Sequence, residues 1–152
     1  MKSLLTDEHR AWIGKPEPAR SVEVSRRDII KYAVATEQRQ QKYLDGDEAP
    51  PMFIFNLFGT ITELDNLRPD GLARGTGSGP KLPLQRIMAG GTEIRQYRPI
   101  RPGDRLIGIS QITDMYEKQG STGPLIFTVR TLSVTTESGE PVLDEIQTGI
   151  AR

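Results

Sequence analysis

The sequence predicts an α+β domain in which a curved antiparallel sheet closes over one apolar helix. Three observations predict it. The last third of the chain reads as long strands separated by short turns, residues 52–64 are apolar on nearly every side, and a glycine pair opens a strand that ends in Arg98-Pro-Ile-Arg-Pro-Gly-Asp104. Short turns between consecutive strands imply an antiparallel meander, and a sheet with one apolar face needs a cover.

Taken in order, residues 4–13 read as a short amphipathic helix with Leu4, Leu5, Trp12 and Ile13 as its contacts, stopped by Gly14 ahead of Lys15-Pro-Glu-Pro18. Trp12 is expected to anchor packing, since large aromatics dominate burial. Ser21-Val-Glu-Val24 is a short strand, and Ser25 with Asp28 three residues on is a helix-start signature. That helix carries Ile29, Ile30, Ala33 and Val34 on one face; beyond Val34 the pattern fails, so its end is exposed or lines a wet interface. After a loop at residues 45–51, Pro50-Pro51 suits a first helical turn. In residues 52–64 the side chains of Phe53, Ile54, Phe55, Leu57, Phe58 and Ile61 surround the axis, and a helix of that kind belongs inside a core. Residues 67–84 are loop-like. Gly75-Thr-Gly-Ser-Gly-Pro80 fits neither the dinucleotide nor the Walker phosphate-binding pattern and reads as a mobile surface loop.

Gly90 and Gly91 permit positive φ and close backbone approach, whereas Pro99 and Pro102 cannot donate to a ladder. One strand therefore runs from near Thr92 to near Ile100, and Gly103-Asp104 turns the chain into a second at residues 105–115. Strands at residues 125–136 and 141–151 follow across Gln119-Gly-Ser-Thr-Gly-Pro124 and Glu137-Ser-Gly-Glu140. Val142, Ile146 and Ile150 share one face of the last strand, which predicts that one side packs and the other meets solvent or a partner.

Composition narrows the function. A chain of 152 residues is the size of one domain, spanning 1–152. With 20 basic and 20 acidic residues nothing selects nucleic acid or an anionic membrane, and a neutral chain associates readily, which suits an oligomer. The absence of cysteine excludes disulfides, thiolate nucleophiles and zinc–thiolate sites. The start of the chain has no signal-peptide stretch and no run reaches the ~20 apolar residues that span a bilayer, so a cytoplasmic protein is expected. His9, the one histidine, stands among Asp7, Glu8 and Arg10 and is expected at the surface, which excludes serine–histidine triads and multi-histidine metal sites. Any catalysis falls to carboxylates, tyrosines or backbone donors.

The stretch from Met88 through Gly90-Gly91 to Asp104, with Ala49-Pro-Pro-Met-Phe53 and Gly139-Glu-Pro-Val142, resembles the N-terminal, FAS1-like dehydratase type of MaoC-like domain, from about Val22 onward. The resemblance implies a hot-dog fold, a curved antiparallel sheet wrapped around a central helix, pairing as a double hot dog. It implies hydration or dehydration of an acyl thioester, as in (R)-specific enoyl-CoA hydratases, with coenzyme A or an acyl carrier as part of the substrate and no separate cofactor. That reaction needs a base for water, an acid for the α-carbon and donors for the thioester oxygen. Active members of the family use an aspartate and a histidine in an Asp-x-Asn-Pro-x-His segment after the first helix, plus a glycine N–H.

The corresponding stretch, from Tyr32 to Tyr43, departs from that pattern: Glu37 stands where the aspartate belongs, Arg39 and Gln40 replace asparagine and proline, and Lys42 or Tyr43 occupies the region of the histidine. Glu37 and Tyr43 are the catalytic candidates in this chain, although polar residues at a helix end usually serve solvation. The economical reading is a non-catalytic half, a homo-oligomer or a hetero-oligomer with a catalytic MaoC-like subunit, that completes the acyl tunnel and grips coenzyme A. For substrate binding, Arg95 and Arg98, within a run that includes Arg101 and Arg105, are candidates for phosphate, and Gly90 and Gly91 for backbone donors to the thioester. Plain solvation of the arginines and a bulge at the glycines are the alternatives. Two other functions fit the sequence, an acyl-thioester-binding homodimer and a hot-dog thioesterase using Glu37 to activate water, but the Arg-Pro-Ile-Arg-Pro-Gly-Asp pattern argues for the dehydratase branch.

Overall fold

Strands β1 (Arg20–Glu23), β2 (Ile87–Gln96), β3 (Arg105–Gly120), β4 (Gly123–Thr136) and β5 (Pro141–Ala151) form one antiparallel sheet in the order β1-β3-β4-β5-β2. The structure is a computed structural model and describes residues 3–59, 61–71, 73–74 and 79–152. Residues 75–78 of the glycine-rich loop lie outside the described residues. Strands β3, β4 and β5 are the expected meander, joined by tight turns at Ser121-Thr122 and at residues 137–140. β3 runs on to Gly120, past the expected end near residue 115, because a bulge at Thr113 lets it bend and keep its pairing with β4.

Three departures from the sequence reading matter for the site. First, the apolar run at residues 52–64 is helical only as a 3-10 turn, Pro51–Phe53, continuing into α4 (Ile54–Leu57). Pro51 occupies the first helical position as expected. The helix stops because Phe58 is followed by Gly59, Thr60, Ile61 and Thr62, a glycine and β-branched run of low helix propensity. Phe53, Ile54 and Phe58 are buried, whereas Phe55 is 44% exposed and Ile61 fully so. Second, the outward side of β5 carries Ile146 and Ile150, both half-buried, while the covered face carries Leu143, Glu145 and Ala151, and Val142 is the extra residue of a bulge. Third, the N-terminal helix shrinks to α1 (Asp7–Arg10), and Trp12 is 37% exposed with Lys15 Nζ 5.3 Å above its ring, so it stands at the surface and outside both apolar clusters.

Two apolar clusters cover the inner face of the sheet. The larger is built by α2 (Arg26–Ala35), whose Ile29 and Ala33 are buried, by Phe53, Ile54 and Phe58, and by Leu106, Val134 and Leu143 of the sheet. Ser25 caps α2 by accepting the Asp28 N–H, as the sequence predicts. The Phe58 ring packs against Gly108, where a Cβ would stand 2.7 Å from the ring, so β3 needs glycine there. The second cluster joins Leu5 to Ile112, Met115, Ile126 and Ala151, with Leu82 and Leu84 packed alongside. His9 helps to hold this end: its Nδ1 accepts the Thr6 N–H at 3.0 Å and its Nε2 lies 3.2 Å from the Lys81 carbonyl.

The two edges of the sheet differ. Along β3, β1 pairs with residues 105–108, Pro16 and Ile13 bridge to Gln111 and Ile112, and Glu117 accepts the Leu5 N–H at 2.9 Å. Along β2, ten residues offer an outer edge that no described residue pairs, and nearly all are exposed.

Candidate functional site

Helix α2 ends in the region where the family places its acid–base segment, and the local geometry explains the backbone there. The N–H of Gln38 donates to the Ala33 carbonyl at 2.9 Å and that of Glu37 to Val34 at 3.2 Å, the paired bonds of a Schellman termination. Such a termination requires a left-handed residue, and Glu37 fills it with φ 54°, the one non-glycine residue with positive φ among the described residues. Glu37 is exposed and makes no hydrogen bond to Tyr43, which lies in the next short helix, α3 (Gln41–Leu44), with Lys42 Nζ 5.0 Å above its ring. The structure therefore does not bring the two catalytic candidates together as a pair.

The signature strand is placed differently from its sequence reading. Gly90 and Gly91 sit inside β2 rather than at its start, and the register shifts between Ala89 and Gly91, a β-bulge. A Cβ on Gly90 would stand 3.0 Å from Ile150 and 3.1 Å from the Thr148 carbonyl, which is the close approach expected of it. β2 ends at Gln96, four residues early, as the prolines withdraw the following segment from the ladder. Arg95 is exposed and bound to Glu93 at 2.7 Å. Arg98 is mostly buried, holds both oxygens of Asp104 at 2.8 and 3.1 Å, and reaches Glu140 at 3.4 Å. This fork clamps the turn between β2 and β3, and it commits the guanidinium that the sequence offered for phosphate.

Because α4 stops at Leu57, part of the inner face stays uncovered as a cleft of about 230 Å³. Ile54, Phe55 and Phe58 form one wall, and Ser110, Leu132, Glu145 and Gln147 form the floor. Ser110, Leu132 and Glu145 stand in one cross-strand row, and Arg130 with Gln147 in the next. Glu145 is 5% exposed and accepts the Gln147 amide at 2.7 Å. Arg130 bonds Glu17 and lies 3.3 Å from the Ser110 hydroxyl. Arg20 closes the rim by donating to the Phe58 carbonyl. Apolar walls over a hydrogen-bonding floor suit a chain that carries a polar group, and the cleft brings no histidine to it. Sequence reasoning missed this floor. Its signal was there: Ser110, Arg130, Glu145 and Gln147 are polar residues on the strand parity that carries Ile112, Leu132 and Leu143.

A five-stranded antiparallel sheet curved around a short helical layer, with an open cleft where the helix ends, is a hot-dog domain. The FAS1-like dehydratase domain region model matches residues 11–145, and the chain belongs to that family, the N-terminal type of MaoC-like domain. It is 27% identical over 117 residues to mesaconyl-C(4)-CoA hydratase of Chloroflexus aurantiacus, covering 77% of this chain and 41% of that protein. It is 29% identical over 156 residues to a UPF0336 protein of Saccharopolyspora erythraea, covering 94% of this chain and 90% of that one. Among solved structures, the ChsH1–ChsH2 complex from Mycobacterium tuberculosis superposes with a TM-score of 0.66 at 18% identity, over 90% of this chain and 84% of that chain. No described helix is long and apolar enough to cross a membrane.

Proposed function

We propose that this chain is the non-catalytic half of a hydratase/dehydratase acting on acyl-CoA thioesters. Its partner is a MaoC-like subunit that carries the aspartate and histidine, and the partnership is a double hot dog formed along β2. The observation that carries the reading is the state of the catalytic segment: Glu37 is exposed at the left-handed end of α2, it makes no hydrogen bond to Tyr43 in α3, and the segment holds no histidine. The edges of the sheet support the pairing. An unpaired ten-residue edge invites strand addition, and among the described residues only β2 offers one, the β3 edge being covered by the N-terminal segment. The relatives add weight, since one is named a CoA hydratase and one solved neighbour is a two-protein complex.

In this role the cleft beyond α4 receives the acyl chain, with Phe55 and Phe58 against its carbons and the Ser110–Glu145 row against a polar substituent. Reaction steps at the thioester belong to the partner. The test is steady-state hydration of crotonyl-CoA and longer enoyl-CoA thioesters by the chain alone and by the chain co-expressed with a subunit bearing an intact Asp-x-Asn-Pro-x-His segment. Negligible turnover alone, activity on co-expression, dependence on the partner's histidine and near-full rate in Glu37→Gln are expected. A large loss of kcat in Glu37→Gln with assembly preserved would return the chemistry to this chain.

A further inference from the structure

Only some of the cationic side chains among the described residues hold a carboxylate. Arg26, Arg68, Arg95, Arg98 and Arg101 each hold a carboxylate at 3.4 Å or less. Arg86 and Arg152 hold none among the described residues, and Lys118 lies instead over the rings of Tyr116 and Phe127, at 5.4 and 5.2 Å. The sheet gathers these three into one row. The Arg86 N–H donates to the Arg152 carbonyl at 3.2 Å and the Arg152 N–H to that of Arg86 at 2.9 Å, so the residues stand directly opposite and their side chains leave the same face. Ile126 pairs with Ala151, which sets Leu125 opposite Arg152, and Leu125 pairs with Lys118. Like charges directly opposite each other destabilise a ladder, and no acidic residue stands in this row to offset them.

A cleft of about 440 Å³ opens at this end of the sheet, lined by the two arginines, Leu84, Leu125 and the hairpin residues Thr122 and Gly123. A second, smaller cleft of about 170 Å³ lies on the inner face of the sheet around the start of β2, lined by Leu82, Ile87 and Ala151 together with Met115 and Thr128, with residues 82–87 between the two clefts. The Thr128 hydroxyl is buried and makes no hydrogen bond, the one such side-chain oxygen among the described residues. An unmade buried hydrogen bond is a cost that a ligand can remove.

We propose that the cationic cleft binds the nucleotide end of coenzyme A, with Arg86 and Arg152 on its clustered phosphates and the pantetheine arm passing over residues 82–87 to the cleft that holds Thr128. This rests on the acyl-thioester reading above and adds the carrier and its site. Two adjacent guanidiniums present forked donors to a compact group of phosphates. The single phosphodiester that ties a pantetheine arm to a carrier protein has less charge to offer, so the site selects coenzyme A thioesters over the same acyl group on a carrier.

The experiment is calorimetric titration of the full chain with coenzyme A and with adenosine 3′,5′-bisphosphate, at low and high salt. Arg86→Ala and Arg152→Ala should each weaken both ligands about tenfold, the loss of one charged hydrogen-bonding contact. Arg86→Lys should recover part of the loss and Arg95→Ala should change nothing. Thr128→Val should weaken coenzyme A but not the bisphosphate. Since the two arginines repel across the ladder, their alanine variants should melt no lower than the parent chain, which separates lost binding from lost folding. Coenzyme A bound equally well by the parent, Arg86→Ala and Arg152→Ala overturns this site and leaves the acyl-thioester reading standing. Failure of the chain, alone and with its partner, to bind any acyl-CoA removes both.

Discussion

Substituting Phe53 and Phe55 separately by alanine tests the register of the short central helix. Phe53 is 1% exposed, packs in the main cluster and meets the Tyr32 ring edge-on, centroids 5.5 Å apart at 74°. Phe55, two residues on, is 44% exposed and lines the cleft beyond α4. Truncating a buried phenylalanine costs about 3–5 kcal/mol, of which an edge-on aromatic pair accounts for about 0.5–1.5. Phe53 also borders an open groove with Tyr32 and Leu57, so water can enter the space the ring leaves, and the lower half of that range is expected. For a chain of this size each kcal/mol moves Tm by roughly 2–4 °C, which puts Phe53→Ala about 6–16 °C below the parent. Phe55→Ala should cost no more than about 1 kcal/mol and show its effect instead in KM for long-chain thioesters. Thermal and urea unfolding of both variants measure this. If Phe55→Ala is the more damaging of the two, the helix is turned about its axis from the arrangement described, and the cleft wall is wrong with it.

Two further outcomes follow from the backbone and from the Arg98 clamp. Glu37→Gly should stabilise the chain by about 1 kcal/mol, because a left-handed residue with a Cβ is strained by about 1–2 kcal/mol and glycine is not; a fall in Tm would mean that the Glu37 side chain is holding something the structure does not show. For Asp104, burial works to raise the carboxyl pKa, but the hydrogen bonds from Arg98 and the Arg101 N–H, with their charges, outweigh it and hold the group below its ordinary value. A carboxyl depressed in the folded state gives stability that is complete above the unfolded value near 3.9 and is lost as pH falls through the lower folded value. Asp104→Asn should therefore cost about 1–3 kcal/mol near neutrality, and its denaturation midpoint should converge with that of the parent as the pH falls through the lowered folded-state value. Parallel curves at every pH would remove Asp104 as a source of acid sensitivity.

The elements that the sequence made legible are those whose local chemistry and tertiary role agree. Ser25 and Asp28 mark the start of α2 because the cap is made within four residues, and β5 was bounded correctly because turn residues stand at its entry. The helix at residues 52–64 misled because apolarity and helicity are separate properties. Phe58 is buried not as part of a helix but as a plug over Gly108, a residue fifty positions away, and nothing near Phe58 in the sequence announces that hole. The outer face of β5 misled for a related reason. Ile146 and Ile150 are aliphatic, so periodicity assigns them inward, yet the inner positions beside them belong to Glu145 and Gln147.

That exchange of polar and apolar residues is itself what the candidate site looks like in sequence. A core strand whose inward parity reads Leu143, Glu145, Gln147, Gly149, Ala151 gives up apolar burial at two positions, and a buried carboxylate costs free energy that hydrogen bonds or an opposite charge must offset. Here the offset is a short helix that leaves those positions facing a cleft instead of a dry core, so that Glu145 and Gln147 bond each other and meet whatever enters. The truncated helix and the polar floor are thus one feature. Had the helix continued to Leu64, the apolar residues of its later turns would have pressed onto Ser110 and Glu145 with no hydrogen bonds to give them. The glycine and β-branched run at Gly59-Thr-Ile-Thr62 prevents this by ending the helix and leaving the polar row facing the cleft.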